Sequence, residues 1–125
     1  MGVDHSLAVG YGVATTVDGE KGLARLFFIS EEEAQALLWE EESSLLDGAD
    51  ELVLSLAKSN YDSAITVGVF LKDTHRYLGD VWDVKQLETV AQPTPAAVEV
   101  LARWLEEGDY RFDGGMGFHL LHSVF

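Results

Sequence analysis

The 125-residue chain contains no cysteine and only two prolines. Without a thiol it can form no disulfide, no cysteine nucleophile and no cysteine-based zinc or iron–sulfur site. No apolar run approaches the roughly 20 residues that cross a bilayer, and the N-terminus lacks the basic segment and apolar run of a signal peptide. These absences predict a protein of the cytoplasm.

Basic residues are scarce as well. Eight Lys and Arg face 22 Asp and Glu, which gives a formal net charge of −14. Such a charge repels nucleic-acid phosphates and anionic membrane surfaces, so we expect no direct binding to nucleic acid or membrane. The excess acid has two explanations: it keeps the protein soluble, or it forms a surface that docks on a basic partner.

Apolar residues, by contrast, are plentiful. They make up 47% of the chain and include three Trp, four Tyr and six Phe, which is ample for a hydrophobic core. The length is typical of one domain, and no linker, low-complexity tract or internal repeat interrupts the chain. We therefore predict a single globular domain over residues 1–125.

The clearest periodicity is a strict alternation over residues 6–17. The bulky members are Leu7, Val9, Tyr11 and Val13, and the small ones are Ala8, Gly10, Gly12 and Ala14. This pattern predicts a strand with one bulky and one small face. Because a face without side-chain volume lets other backbone approach closely, we expect a helix across it and a central place in the sheet.

Turn and cap signals predict the next elements. Residues 23–29 are an apolar run after the turn-like segment 18–22, which indicates a hairpin with the first strand. Ser30 and Glu33 form a capping box for a helix that begins at Glu31. The apolar runs 52–57 and 64–71 predict a second hairpin, although the first of them also fits a helix. Residues 76–78 are a candidate edge strand.

The remaining chain predicts two helices and a strand. Residues 83–90 fit a short helix that stops before Pro93. Thr94 caps and Pro95 begins a longer helix that ends near Gly108. Residues 118–125 are predicted to form the last strand. The order ββαββααβ indicates an α+β fold, with a mostly antiparallel sheet of about five strands and two to three helices on one face.

Acidic residues are concentrated between residues 31 and 51, where no Lys or Arg occurs. Glu31 to Glu33 have a local role, because acids in the first helical turn stabilise the helix dipole. Glu40 to Glu42 lie toward the other end, where negative charge opposes the dipole, and such a costly placement points to function. The candidate partner-binding surface, the acidic block, comprises Glu31, Glu32, Glu33, Trp39, Glu40, Glu41, Glu42, Asp47, Asp50 and Glu51.

Carboxylates along a helix can stand in for backbone phosphates, so the acidic block is expected to occupy a basic or nucleic-acid-binding site of a host protein. Trp39 is either an aromatic anchor for this partner or a core residue. The alternative for the whole acidic block is a solvated face that binds no partner. A self-assembling homo-oligomeric scaffold that pairs through a strand edge or residues 118–125 is the alternative. A third hypothesis is a small-ligand binder or an enzyme that uses a pocket near His75 and Tyr77.

Motifs that carry chemistry are lacking. His119 and His122 have a spacing that converges on a metal in a helix, but in a strand they face opposite sides. The segment 10–12 lacks the third glycine of a dinucleotide loop, and the glycine-rich segment 114–117 lacks the lysine of a phosphate loop. We therefore expect no enzymatic activity, no cofactor and no metal site.

The opening segment, residues 1–5, followed by Gly10, Tyr11 and Gly12, resembles the start of small acidic proteins of unassigned activity that bacteriophages of actinobacteria encode. The resemblance covers only the chain up to Gly12. It implies no activity and no site residues. It does imply a phage-encoded factor in the host cytoplasm that binds and disables a host protein.

Overall fold

The computed structural model describes residues 5–40, 46, 49–58, 63–79 and 92–124, which form one five-stranded sheet and three α-helices. The strands are β1 (His5–Asp18), β2 (Leu52–Lys58), β3 (Ala64–Leu71), β4 (Arg76–Gly79) and β5 (Gly117–Val124). The helices are α1 (Gly19–Phe27), α2 (Glu31–Glu40) and α3 (Pro95–Gly108). The predicted α+β fold with a mainly antiparallel sheet is confirmed.

Strand β1 is the centre of this sheet, as its alternating pattern predicts. Leu7 pairs with both Gly79 of β4 and His122 of β5, and Gly12 pairs with both β3 and β5. Since a strand has only two edges, β3 and β4 share one edge of β1 and β5 occupies the other. Strand β2 pairs with the outer edge of β3, which confirms the second predicted hairpin and its strand interpretation.

The bulky face of β1 packs against the helices. Val13 shares the main buried cluster with Val67 and Val69 of β3. The helices contribute Leu23, Ala24, Phe27, Ala34 and Leu101 to the same cluster. Each fully buried Leu, Val or Phe side chain contributes about 1.5–3 kcal/mol to the hydrophobic free energy of folding. This layer between sheet and helices therefore supplies most of that free energy.

The small face of β1 is covered by the sheet itself, so the expected helix across it is wrong for the described residues. The ring of Phe70 fills the space: a Cβ on Gly10 would lie 2.7 Å from Phe70 Cγ, and one on Gly68 would lie 2.5 Å from Phe70 Cζ. Leu121 of β5 joins Phe70 and Ala57 of β2 in a separate buried cluster. The small residues therefore permit a strongly curled sheet in which β2 and β5 approach each other.

The predicted strand at residues 23–29 is wrong, because α1 occupies that segment. Leu23, Ala24 and Phe27 are the buried residues of this helix, and their spacing is that of one helical face. The hairpin with β1 therefore does not form. Helix α1 ends at Phe27, and the next residue, Phe28, has a left-handed φ of 56°, is 67% exposed and stacks on Tyr110.

The other local predictions hold where the structure describes them. The Thr94 side chain accepts a hydrogen bond from Ala97 N at 3.2 Å, and Pro95 begins α3. The candidate edge strand is β4, and the closing strand is β5. The predicted helix at residues 83–90 lies outside the described residues.

Candidate functional site

The first turn of α2 carries three carboxylates of the acidic block. Ser30 Oγ accepts a hydrogen bond from Glu33 N and donates one to Glu33 Oε1, both at 3.1 Å, so the cap lies where the sequence predicts it. Glu31, Glu32 and Glu33 are all exposed. Exposed acids here stabilise the helix by about 0.3–1 kcal/mol each through its dipole, so this part of the block has a structural role of its own.

Asp50 and Glu51 form the other described part of the acidic block. Both are exposed and directly precede β2. The carbonyl of Glu51 accepts a hydrogen bond from Lys72 N at 2.7 Å, in the 3₁₀ turn Lys72–Thr74. Leu52 N also donates to Ala49 O at 3.1 Å. The two carboxylates therefore project from a backbone that is fixed on both sides.

The middle of the acidic block is less completely described. Trp39 and Glu40 are the last two residues of α2, and the structure describes their backbone alone. Glu41, Glu42 and Asp47 lie outside the described residues. The aromatic anchor role of Trp39 and the unfavourable placement of Glu40 to Glu42 therefore stay predictions.

A lysine from a distant strand reaches the C-terminal end of α2. Lys58 Nζ, at the end of β2, donates a hydrogen bond to the carbonyl oxygen of Leu38 at 3.1 Å. A cation at this end of a helix is favoured by the helix dipole. No local sequence signal reveals this contact, because the partners are 20 positions apart.

A groove of about 540 Å³ lies between Glu31 of α2 and the start of α1, and both acids and lysines line it. Asp18 and Glu20 line it together with Lys21 and Lys58. Asp18 Oδ1 accepts a hydrogen bond from the Ser63 hydroxyl at 2.7 Å, which holds this carboxylate in place. Asp18 and Glu20 are acids of this surface that sequence reasoning missed, because only the fold brings them beside α2.

Among the residues that the structure describes, His75 has no hydrogen-bonded catalytic partner. Its ring stacks on Phe70 with centroids 5.9 Å apart, and among the described residues its buried Nε2 has no hydrogen-bond partner. Burial, helped by the neighbouring Arg76 charge, lowers the pKa of His75. Neither Phe70 nor Arg76 supplies a nucleophile or an acid–base partner. Tyr77 lies in β4 with only its backbone described.

The two C-terminal histidines point to opposite faces of β5, as expected for a strand. His119 lies opposite Gly10, and His122 lies opposite Leu7. His119 Nε2 is 2.9 Å from the carbonyl oxygen of Gly115. Within the described ranges, no three His, Cys, Asp or Glu residues are grouped so that they could hold a metal ion.

Strand β5 exposes a row of large apolar side chains. Phe118 is 44% exposed, Leu120 is 53% exposed, and Met116 just before the strand is 41% exposed. Phe118 contacts Tyr11 edge to face, with centroids 5.3 Å apart, while Leu121 on the other face is buried. Among the described strands, β1 pairs with β5, and β2 lies close to β5 where Leu121 is buried with Ala57.

These features define an acidic α+β domain with a curled antiparallel sheet, exposed carboxylates at α2 and an exposed apolar row on β5. None of the helices that the structure describes has the length and apolar character needed to span a membrane. Comparisons with known protein families, with curated proteins and with solved structures found no match. The function of the chain therefore has to be argued from these surfaces.

Proposed function

We propose that the protein is a non-enzymatic binding protein that docks its acidic block on a basic surface of a host macromolecule. The observation that carries this proposal is the exposure of every block carboxylate whose side chain is described. Glu31, Glu32 and Glu33 project from the first turn of α2, and Asp50 and Glu51 project from a fixed segment before β2. Asp18 and Glu20 add two carboxylates to the adjoining groove, which Lys21 and Lys58 also line.

A basic, nucleic-acid-binding protein of the host is the partner that fits this chemistry. With a net charge of −14, the domain attracts basic surfaces over a distance and orients itself before contact. Carboxylates fixed along a helix and its flanking segments then occupy positions that phosphates fill in a nucleic-acid complex. The protein would act as a nucleic-acid mimic that blocks the groove, in the host cytoplasm if it is phage-encoded.

The acidic block can be tested with charge-neutral variants of nearly unchanged size. The first set is Glu40→Gln, Glu41→Gln and Glu42→Gln. The second set is Glu31→Gln, Glu32→Gln and Asp50→Asn. The matched control neutralises three exposed acids of α3, Glu99→Gln, Glu106→Gln and Glu107→Gln. All three variants have the same net charge, so a difference between them reports position rather than total charge.

Proteins captured from a host lysate by the unmodified chain are identified by mass spectrometry, purified, and titrated against each variant at low and physiological salt. Both block variants should bind at least about tenfold more weakly, a change of roughly 1.4 kcal/mol, and the α3 variant should bind like the unmodified chain. Duplex DNA should compete with the unmodified chain for the partner. Equal affinities for all variants, or no competition by DNA, would contradict the proposal.

A further inference from the structure

Aromatic rings follow one another in a row between the end of α3 and the end of α1. The ring centroids of Trp104 and Tyr110 are 4.4 Å apart, and the two ring planes are tilted by 33°. Tyr110 in turn stacks on Phe28 at 6.2 Å and 28°. Phe28 ends the row and is 67% exposed, so most of its ring is open to a further planar group.

The backbone of Phe28 has a conformation that its residue type does not favour. Its φ of 56° is left-handed, directly after the last residue of α1. Glycine usually fills this position, because a side chain with a Cβ is strained there. Phe28 therefore combines a strained backbone with an exposed apolar ring. Strained residues of this kind concentrate where side chains bind ligands.

Phe28 lines a groove of about 300 Å³ that carries charges of both signs. The charged residues of this groove are Arg25, Asp109, Arg111 and Asp113. The buried Thr15 hydroxyl donates a hydrogen bond to Asp113 Oδ2 at 3.0 Å, which holds this carboxylate at the groove. Two arginines balance two aspartates, so the groove is locally neutral although the whole chain carries a charge of −14.

Arg25 is the groove charge that has no described partner. Arg111 Nε lies 3.8 Å from Asp109 Oδ1, whereas no ion pair of the exposed Arg25 is formed within the described ranges. A cation in the last turn of α1 stabilises the helix dipole, which gives Arg25 a structural role as well. Its guanidinium can still bind a carboxylate through two parallel hydrogen bonds.

We infer that this groove binds a free aromatic amino acid as the zwitterion. The ring of the ligand stacks on Phe28, its carboxylate binds Arg25, and its ammonium group lies on the side of Asp109 and Asp113. A purely anionic ligand is repelled by these aspartates and by the net charge of the chain, and a purely cationic one leaves Arg25 unpaired. A volume of about 300 Å³ suits a ligand of this small size.

This inference goes beyond the proposed function and uses none of the acidic block. The first experiment titrates the unmodified chain with L-phenylalanine by calorimetry. The comparison ligands are phenylpropionate, which lacks the ammonium group, phenethylamine, which lacks the carboxylate, and L-leucine, which lacks the planar ring. L-phenylalanine should bind at least about tenfold more tightly than each of them. Equal binding of any comparison ligand, or no binding of L-phenylalanine up to about 10 mM, overturns the inference.

The second experiment repeats the L-phenylalanine titration with variants whose folding is checked by circular dichroism. Phe28→Gly, Phe28→Leu and Arg25→Gln should each bind at least about tenfold more weakly. Phe118→Leu and Arg103→Gln are the matched controls, because they remove an exposed ring and an exposed guanidinium elsewhere, and they should bind like the unmodified chain. A folded Phe28 or Arg25 variant with unchanged affinity overturns the inference.

Stability measurements separate a ligand-binding role of Phe28 from a structural one. Phe28→Gly should unfold at no lower urea concentration than the unmodified chain, because glycine adopts the left-handed φ without strain. Phe28→Leu keeps the Cβ and the apolar character, so it reports the loss of the ring alone. The acidic-block variants should bind L-phenylalanine normally, so failure of this inference and failure of the proposed function are separate results.

Discussion

Glycines 10 and 12 provide the sharpest test of how the small face of β1 is built. A Cβ on Gly10 would lie 2.7 Å from Phe70 Cγ and 2.8 Å from Phe70 Cβ, so it would meet a side chain. A Cβ on Gly12 would collide with the carbonyl oxygen of Val69 and lie 2.8 Å from Phe70 Cα, so it would meet the main chain of β3. We predict that Gly12→Ala destabilises the fold more than Gly10→Ala.

The expected losses of unfolding free energy depend on which atoms the added Cβ displaces. Adding a methyl group to a packed core costs about 1–3 kcal/mol. At Gly10 the Phe70 ring can turn, although Phe70 Cβ moves only with its backbone. The lower chain entropy of alanine in the unfolded state returns about 0.5–1 kcal/mol. The net loss should be about 1–2 kcal/mol. At Gly12 the backbone of β3 has to give way and the pairing of Gly12 with Phe70 is disturbed, so we expect a loss of about 3 kcal/mol or more.

Urea unfolding followed by circular dichroism measures these losses, with Gly115→Ala as the control. A Cβ at Gly115 meets no atom within 4 Å, and its φ is not in the left-handed region. This control should therefore change the unfolding free energy by no more than about 0.5 kcal/mol. If Gly12→Ala is as stable as the unmodified protein, or more stable than Gly10→Ala, the close approach between β1 and β3 is refuted.

Two further predictions concern a helix cap and a half-buried histidine. Ser30→Ala should lower the unfolding free energy by about 0.5–2 kcal/mol because Glu33 N loses its acceptor, whereas Ser30→Asp should retain the cap; urea titration distinguishes them, and equal losses would argue against the cap. The lowered pKa of His75 means that the unfolded state takes up a proton more readily than the folded state. Stability from neutral His75 is therefore present above the unfolded pKa of about 6.5 and is lost as pH falls below it toward the folded pKa. His75→Phe should reduce the loss of stability at acid pH, as measured by thermal melts at several pH values. An unchanged pH profile would show that another group is responsible.

The start of two helices could be predicted from sequence because the determining contacts are local. Ser30 bonds to Glu33 three residues away, and Thr94 bonds to Ala97 at the same separation. The alternation in β1 likewise predicted its central place. Residues 23–29 were misjudged because a nearly continuous apolar run fits a strand and a helix alike, and burial of one helical face against the core decided between them.

In the candidate site, too, some features could be predicted from sequence and others could not. The exposure of Glu31 to Glu33 follows from their position in a first helical turn and could be predicted. The approach of Lys58 to the end of α2, and the position of Asp18 beside that helix, depend on how β1 and β2 lie in the sheet. The covering of the small face by Phe70 also depends on sheet curvature, which no short sequence window encodes.

The pairing of His5 with Val124 means that the first and last described strands of the chain are neighbours. During synthesis, β1 leaves the ribosome long before β5 exists, and one edge of its N-terminal half stays unpaired until β5 has been made. Contacts of such long sequence separation slow folding and expose unpaired edges meanwhile. A permuted chain in which a short linker joins β5 directly to β1 would make this pairing local, and we expect it to fold faster to the same sheet.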